Sequence, residues 1–230
     1  MRFILALFFI IVAASPLAAA QRNYSVTDFT RVKVEGPFAV ALATNVAPYA
    51  RASGSQRALD LVSVRVEGRT LIIRVDRSAW GGAPHEQAGP VTINVGTHNL
   101  DQATLVGGGS LAIDRVRGLE FSLNSYGAGA SSIAAVAVDR LRLSARGSGS
   151  MRVAGTTKQL NATLSGPGLL DASALTAKDA TLSATGPASL RARVTNNAKI
   201  SATGTANLTL DGGAACERKV SGSAIVTGCR

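Results

Sequence analysis

The chain has 230 residues, of which 46% are hydrophobic and only 4% aromatic, and 24 basic against 14 acidic side chains give it a formal net charge of +10. This charge favours contact with anionic polysaccharide, lipid headgroups or envelope proteins, although a merely solubilising surface is the preferred interpretation. The few aromatic side chains and the lack of a recognisable nucleic-acid-binding motif exclude nucleic acid as the expected partner.

Residues 1–20 are typical of a secretory signal peptide. A short basic start is followed by an apolar run at 3–14 and by three alanines at 18–20, which is the order of such peptides. The apolar run of 12 residues is shorter than the roughly 20 residues that a membrane-spanning helix needs. We therefore predict cleavage after Ala20 and an exported mature protein, in the periplasm, the cell envelope or outside the cell, with no transmembrane segment after cleavage.

The N-terminal third predicts strands separated by turns. Apolar and polar residues alternate in 31–44 (RVKVEGPFAVALAT), across a turn at 36–37, and again in 61–75 (LVSVRVEGRTLIIRV), across a turn at 67–69. A period of two indicates β-strands with one buried face.

The stretch between residues 76 and 89 is polar and rich in turn-forming residues, which predicts a loop. It holds the single tryptophan, Trp80, together with His85. An exposed tryptophan stacks on sugar rings and other flat ligands, so Trp80 and His85 are candidate ligand contacts. The alternative interpretation is that Trp80 folds back to cover an open side of the fold.

A short Gly-x-Gly or Gly-x-Ala core recurs seven times from residue 107 onward. The first glycines of successive cores are 20, 20, 19, 20, 18 and 18 residues apart, and so regular a period is the signature of a repeat architecture. The cores are 107–109, 127–129, 147–149, 166–168, 186–188, 204–206 and 222–224.

Apolar and polar residues alternate on both sides of each core, which favours strand, turn, strand. A repeat this short cannot bury its own apolar face, but stacked copies can, with equivalent strands about 4.8 Å apart. The sequence therefore predicts an all-β fold, a parallel β-helix or β-solenoid with about 18–20 residues per coil, as a single domain over 21–230. Candidate core residues are Leu111, Ile113, Leu123, Leu143, Met151, Val153, Ala162, Leu182, Leu190, Ala192, Ile200, Leu208 and Leu210.

Charged side chains recur at one place in the repeat. Arg152, Asp171 and Arg191 each follow the first glycine of their core by five residues, so they are expected to stack as a ladder on an outer face. Arg152 and Arg191 are candidate contacts for an acidic sugar. A row of ion pairs between coils is the simpler interpretation.

Two carboxylates, Asp139 and Asp179, are the best candidates for an enzyme. If they stand at matching places two coils apart, they lie roughly 10 Å from each other, near the upper limit for an inverting glycosidase. That place is a polar turn in each copy, which favours solvated surface. The chain has no G-x-S-x-G or H-E-x-x-H motif and no cluster of metal ligands, so we predict no catalytic, cofactor-binding or metal-binding residues.

The only two cysteines, Cys216 and Cys229, lie close to the C-terminus. In an exported protein an even number of cysteines indicates a disulfide. Closing a loop of this size contributes about 3 kcal/mol in the chain-entropy model. The predicted role of the bridge is to hold the last coil.

The segment R-V-K-V-E-G-P-F-A-V at 31–40 and the run of S-G-x-G cores resemble the family described as putative auto-transporter adhesin, head GIN domain. The likeness extends from about Tyr24 to Gly228. It implies an all-β, helix-like solenoid in an exported bacterial protein, and it brings no catalytic residues. The chain departs from the family pattern in having alanine at 188, 206 and 224 and in its C-terminal cysteines.

Two classes of function follow from the sequence. The first is an exported, non-enzymatic β-solenoid that is adhesin-like or binds a partner in the cell envelope. The alternative is a polysaccharide-processing enzyme, a lyase or glycosidase, on a β-helix scaffold.

Overall fold

The structure is a computed structural model that describes residues 20–76 and 89–230. The predicted signal peptide up to residue 19 and the loop with Trp80 and His85 lie outside the described residues. The described part contains one short helix, α1 (Gln56–Asp60), and strands that join one extended sheet. The strands are β1 (Ala20–Tyr24), β2 (Arg31–Glu35), β3 (Ala39–Thr44), β4 (Tyr49–Gly54), β5 (Val62–Glu67), β6 (Thr70–Val75), β7 (Thr92–Thr97), β8 (Gln102–Val106), β9 (Ser110–Tyr126), β10 (Ala130–Arg146), β11 (Ser150–Ser165), β12 (Leu169–Thr185), β13 (Ser189–Gly204), β14 (Asn207–Asp211), β15 (Ala215–Gly222) and β16 (Ile225–Thr227).

The repeats form the predicted β-solenoid, of about 6 turns. The long strands β9 to β13 stack in sequence order, and each pairs in parallel with the next. Equivalent residues of the repeat meet across the strands: Leu123 pairs with Leu143, and Leu182 with Ile200. The parallel pairing and the repeat length predicted from the sequence are both confirmed.

Each regular turn has three faces. Along β10 the inward side chains alternate with outward ones, but at 134–135 and 139–140 two successive residues stay out of the core, which marks a bend. We number the faces 1 to 3 in chain order, and the glycine corner joins face 3 to face 1 of the next turn. The inward residues of β10 are Ser131 and Ile133 on face 1, Val136 and Val138 on face 2, and Leu141, Leu143 and Ala145 on face 3.

The core is a set of columns of aliphatic side chains inside these turns. Every candidate core residue named from the repeat is at most 3% exposed. Most columns repeat apolar residues from turn to turn, with buried Ser125, Ser131 and Thr157 as polar exceptions, so a buried side chain packs on its equivalents above and below. Burial of these apolar side chains holds the stack together.

The glycine cores stack at one corner, as the repeat predicts. Gly127 and Gly147 have φ of +114°, a left-handed conformation that favours glycine. A Cβ added at Gly127 would lie 2.7 Å from the carbonyl oxygen of Gly107, so the corner also leaves no volume for a side chain. The corner stack begins one turn earlier than the seven cores suggest, because Gly36 has φ of +130° and lies under Gly107.

The C-terminal turns are shorter. The pairing of β12 with β13 jumps from Ala172 with Ala192 to Thr176 with Arg193, so β13 lacks three residues at the bend between faces 1 and 2. The two faces merge into one alternating run, with inward residues at Leu190, Ala192 and Val194.

The N-terminal strands were predicted as strands, but part of their pairing differs from a parallel helix. β1 pairs with β4, β4 with β7, and β5 with β6, all antiparallel. β3 and β8 meanwhile pair in parallel with β9 and begin the solenoid. The antiparallel strands cover the N-terminal end of the stack, whereas β15 and β16 form its other end.

Candidate functional site: an axial groove

A groove of about 670 Å³ runs along the solenoid axis on its C-terminal half. It follows the bend between faces 2 and 3 and is lined by 159–161, 179–181, 197–199 and 215–217 of four successive turns. Because neighbouring strands lie about 4.8 Å apart, the groove is about 14 Å long from the first of these turns to the fourth. We call this feature the axial groove.

Two columns of polar side chains border the axial groove. One column is Gln159, Asp179 and Asn197, which are aligned by the pairing of β11, β12 and β13. The second column lies two residues further along each strand, so its side chains also point outward. Its members are Asn161, Thr181, Lys199 and Glu217.

The lining of the axial groove holds two carboxylates, Asp179 and Glu217, and one ammonium, Lys199. The Asp179 carboxylate accepts hydrogen bonds from the side-chain amides of Asn196, at 2.9 Å, and Asn197, at 3.2 Å. The Lys199 ammonium lies 3.9 Å from the Glu217 carboxylate. Asn161 and Thr181 are exposed and make no side-chain hydrogen bond within the described part of the chain. The groove therefore offers free amide and hydroxyl groups beside one carboxylate, Asp179, that has no cationic partner within the described part of the chain.

The basic residues that continue the two columns toward the N-terminus are also paired. Arg140 and Arg142 lie 3.6 Å and 3.1 Å from the carboxylate of Glu120. Because the two arginines share one carboxylate, one positive charge remains beside the N-terminal end of the groove.

The expected alignment of Asp139 with Asp179 is wrong. Asp179 pairs with Gln159, and Gln159 pairs with Arg140, so Asp139 is displaced by one residue. Its carboxylate lies 2.9 Å from the Lys158 ammonium, while Asp179 is held by asparagine amides. The error arose because the turn with β11 is one residue shorter than its neighbours. The two carboxylates therefore do not stand at matching places of the repeat.

The structure places Arg152, Asp171 and Arg191 in one register on face 1. Arg152 Nε lies 3.7 Å from Asp171 Oδ2. Hydrogen bonds from the Ser173 hydroxyl and backbone N–H, and then the charges of Arg152 and Arg191, lower the pKa of Asp171. A role of Arg152 and Arg191 as ligand contacts stays a prediction.

The predicted disulfide between Cys216 and Cys229 is present, with the two Cα atoms 5.7 Å apart. It ties the final segment to the turn beneath it. Next to the bridge, the backbone N–H of Arg230 donates to the carbonyl of Ala214 at 3.2 Å.

Comparison with protein families identifies the chain. The family model described as putative auto-transporter adhesin, head GIN domain, matches residues 28–214. The chain belongs to this family. Solved structures with the same fold include a putative adhesin from Bacteroides fragilis, with a TM-score of 0.79 and 17% identity over 93% of this chain and 97% of that chain. A putative lipid binding protein from Parabacteroides distasonis has a TM-score of 0.72 and 18% identity over 94% of this chain and 98% of that chain. A putative adhesin from Parabacteroides merdae has a TM-score of 0.69 and 16% identity over 92% of this chain and 96% of that chain.

No curated protein matches the chain, and identities this low to the solved structures establish only a shared fold. Within 20–76 and 89–230, no three His, Cys, Asp or Glu residues gather where they could hold a metal ion. The same residues include no helix with the length and apolar character needed to cross a membrane.

Sequence analysis missed the axial groove of this head GIN domain. Asn161, Thr181, Lys199 and Glu217 each precede the first glycine of the next core by five residues. The repeat could therefore have placed them in one outward column. It gave no sign that the bend beside this column is concave, because concavity depends on how the faces meet.

Proposed function

We propose that this head GIN protein is an exported, non-enzymatic, adhesin-like protein whose axial groove binds an extended polysaccharide. The observation that carries the proposal is a continuous groove across four turns, bordered by amide and hydroxyl groups. Membership of the family described as an adhesin head and similarity to structures of putative adhesins support a binding role.

A linear polymer suits the groove because the solenoid presents equivalent groups at regular steps of about 4.8 Å. Sugar hydroxyls both donate and accept hydrogen bonds, as do the side chains of Asn161, Thr181 and Asn197. Lys199 and Glu217 offset each other, whereas the amides that hold Asp179 leave its negative charge in place. The groove therefore disfavours an anionic polymer and suits a neutral one. This proposal departs from the anionic partners that the net charge alone favours.

The alternative, a lyase or glycosidase, loses its main support with the correction of Asp139 and Asp179. Each carboxylate is engaged, Asp139 by Lys158 and Asp179 by Asn196 and Asn197. Neither contact pairs one carboxylate with the other, so these two residues do not bring an acid and a base together at one place.

Export is part of the proposal. We infer that residues 1–20 are removed as a signal peptide and that 21–230 is one solenoid domain in the periplasm, the envelope or outside the cell. The disulfide between Cys216 and Cys229 supports an oxidising compartment. N-terminal sequencing of the exported protein tests the cleavage site, with Gln21 expected as the first residue.

The binding proposal is tested with the oxidised mature protein on an array of neutral and acidic polysaccharides, followed by size analysis of the glycans that bind. We expect retention of at least one polysaccharide whose chain length is unchanged. Shortened chains would identify an enzyme, and binding to anionic lipid vesicles without binding to any glycan would contradict the polysaccharide assignment.

A further inference from the structure

A small cleft lies where the N-terminal strands meet the first long turn of the solenoid. β3 leaves the stack after Thr44, and the chain returns to the stack through 98–100, between β7 and β8. These two segments lie against 115–117 of β9 and border about 90 Å³ of space. The cleft exists because face 2 of this turn is assembled from two separate chain segments instead of one continuous strand.

The cleft is lined mainly by cationic and amide side chains. Arg115, Arg117 and His98 border it, together with Asn45 and Asn99. Within 20–76 and 89–230, Arg117 has no acidic partner and no side-chain hydrogen bond. An arginine side chain without a partner at a concave site presents its planar set of N–H donors to solvent.

The carboxylate next to the cleft is already committed. Asp114 Oδ1 accepts hydrogen bonds from the Thr44 N–H at 3.0 Å and the Thr44 hydroxyl at 3.2 Å. Asp114 Oδ2 lies 3.7 Å from Arg115 Nε. Asp114 therefore offsets the positive charge of Arg115, whereas it does not offset the charge of Arg117. A second acidic residue, Asp28, lies 3.2 Å from His98 Nδ1.

We propose that this cleft binds a compact oxyanion, the phosphate or sulfate group of a larger molecule, with Arg117 as its principal ligand. The arginine fork matches the oxygens of such a group and can contact two of them at once. The amides of Asn45 and Asn99 can donate further hydrogen bonds, and the small volume suits a group of a few heavy atoms. The cleft lies on face 2 at the opposite end of the solenoid from the axial groove, so the proposal is independent of the proposed function.

Calorimetric titration of inorganic phosphate into the oxidised mature protein at low ionic strength tests the site. We expect saturable binding that Arg117→Gln weakens at least about tenfold, and Arg117→Lys by less, because the charge remains but the fork is lost. Arg146→Gln is the matched control, since it removes the same charge from an exposed arginine on face 3. It should keep the parental affinity.

Thermal melts of all variants establish that each is folded. Parallel titrations with glycerol phosphate and with a sugar sulfate then identify the source of the anion. Tighter binding of glycerol phosphate than of inorganic phosphate would indicate a lipid headgroup, and tighter binding of the sugar sulfate would indicate a glycan. The proposal is overturned if the parent protein shows no saturable phosphate binding, or if Arg117→Gln and Arg146→Gln bind phosphate equally well.

Discussion

Gly147 lies directly over Gly127 in the corner stack, and the backbone leaves no room between them. A Cβ added to Gly147 would come within 3.0 Å of the carbonyl carbon of Gly127 and closer still to its oxygen. Gly147 also has φ of +114°. Gly147→Val should therefore lower the free energy of unfolding by more than about 2 kcal/mol, as measured by thermal or chemical denaturation.

Gly108 supplies the matched control for this substitution. It is the middle residue of a core at the same corner, but a Cβ there meets no atom within 4 Å and its φ is not in the left-handed region. Gly108→Val should change stability by less than about 0.5 kcal/mol. Equal effects of the two substitutions would show that the corner does not stack tightly.

Reduction of the disulfide should loosen the last turn first. The bridge between Cys216 and Cys229 spans 13 residues, a loop worth about 3 kcal/mol in the chain-entropy model. In the variant Cys216→Ser with Cys229→Ser, hydrogen exchange should accelerate in 215–230, while 130–165 stays protected. End-to-end association should also appear in size-exclusion chromatography, because the unpaired edge of a loosened turn can pair with another molecule. Unchanged terminal protection together with a monomeric elution volume would show that the bridge does not cap the stack.

Charge at the open end should keep the protein from associating. Arg218 pairs with Ile200, so it occupies the column of buried aliphatic residues at the point where the stack ends, next to exposed Val220. Arg218→Leu should expose a continuous apolar end and raise the oligomeric fraction in analytical ultracentrifugation. Arg146→Leu, on the side of the solenoid, should leave the sedimentation profile unchanged, and a similar profile for both variants would argue against a protective role of Arg218.

Asp171 should give a small pH-dependent contribution to stability. Its pKa is lowered from the ordinary value of 3.8 by the Ser173 hydrogen bonds and then by Arg152 and Arg191. The stabilisation is therefore present above pH 3.8 and is lost as the pH falls through 3.8 to the lower pKa of the folded state. Asp171→Asn should lower the free energy of unfolding by less than about 1 kcal/mol at pH 7. This difference in stability from the parent should vanish once the pH is below the pKa of Asp171 in the folded state.

The control for this pH dependence is Asp211→Asn. Asp211 is exposed and has no ion pair or side-chain hydrogen bond in the described part of the chain. Urea denaturation should give the same difference in the free energy of unfolding between the parent and Asp211→Asn at pH 7 and at pH 3. If the Asp171→Asn difference is equally constant with pH, the ladder on face 1 does not hold the carboxylate in its charged form.

The fold was predictable from the sequence because the repeat records it directly. The glycine spacing fixed the turn length, and the alternation around residues such as Leu143 fixed the inward face. At the N-terminal end only the hairpin of β5 and β6 left a signal, the tight turn at 67–69. The antiparallel pairing of β4 with β1 and β7 was not predictable, because these strands are far apart in sequence and alternation is the same in parallel and antiparallel strands.

The candidate site was less predictable for a related reason. A shift of one residue in register moves a side chain to a different column, and the shorter turn with β11 displaced Asp139 from Asp179 in this way. The cleft at Arg117 depends on a crossing of chain segments far apart in sequence, which no local pattern reveals.

The most direct test of the central claim, that the axial groove is the binding surface, is the affinity of the double variant Asn161→Ala with Thr181→Ala for a polysaccharide that the parent retains. We predict a loss of about tenfold, from hydrogen bonds worth about 0.5–1.5 kcal/mol each. The control, Asn207→Ala with Thr209→Ala, removes an amide and a hydroxyl from face 1 and should bind like the parent. Parental affinity in the groove variant, or an equal loss in both variants, would contradict the assignment of binding to the axial groove.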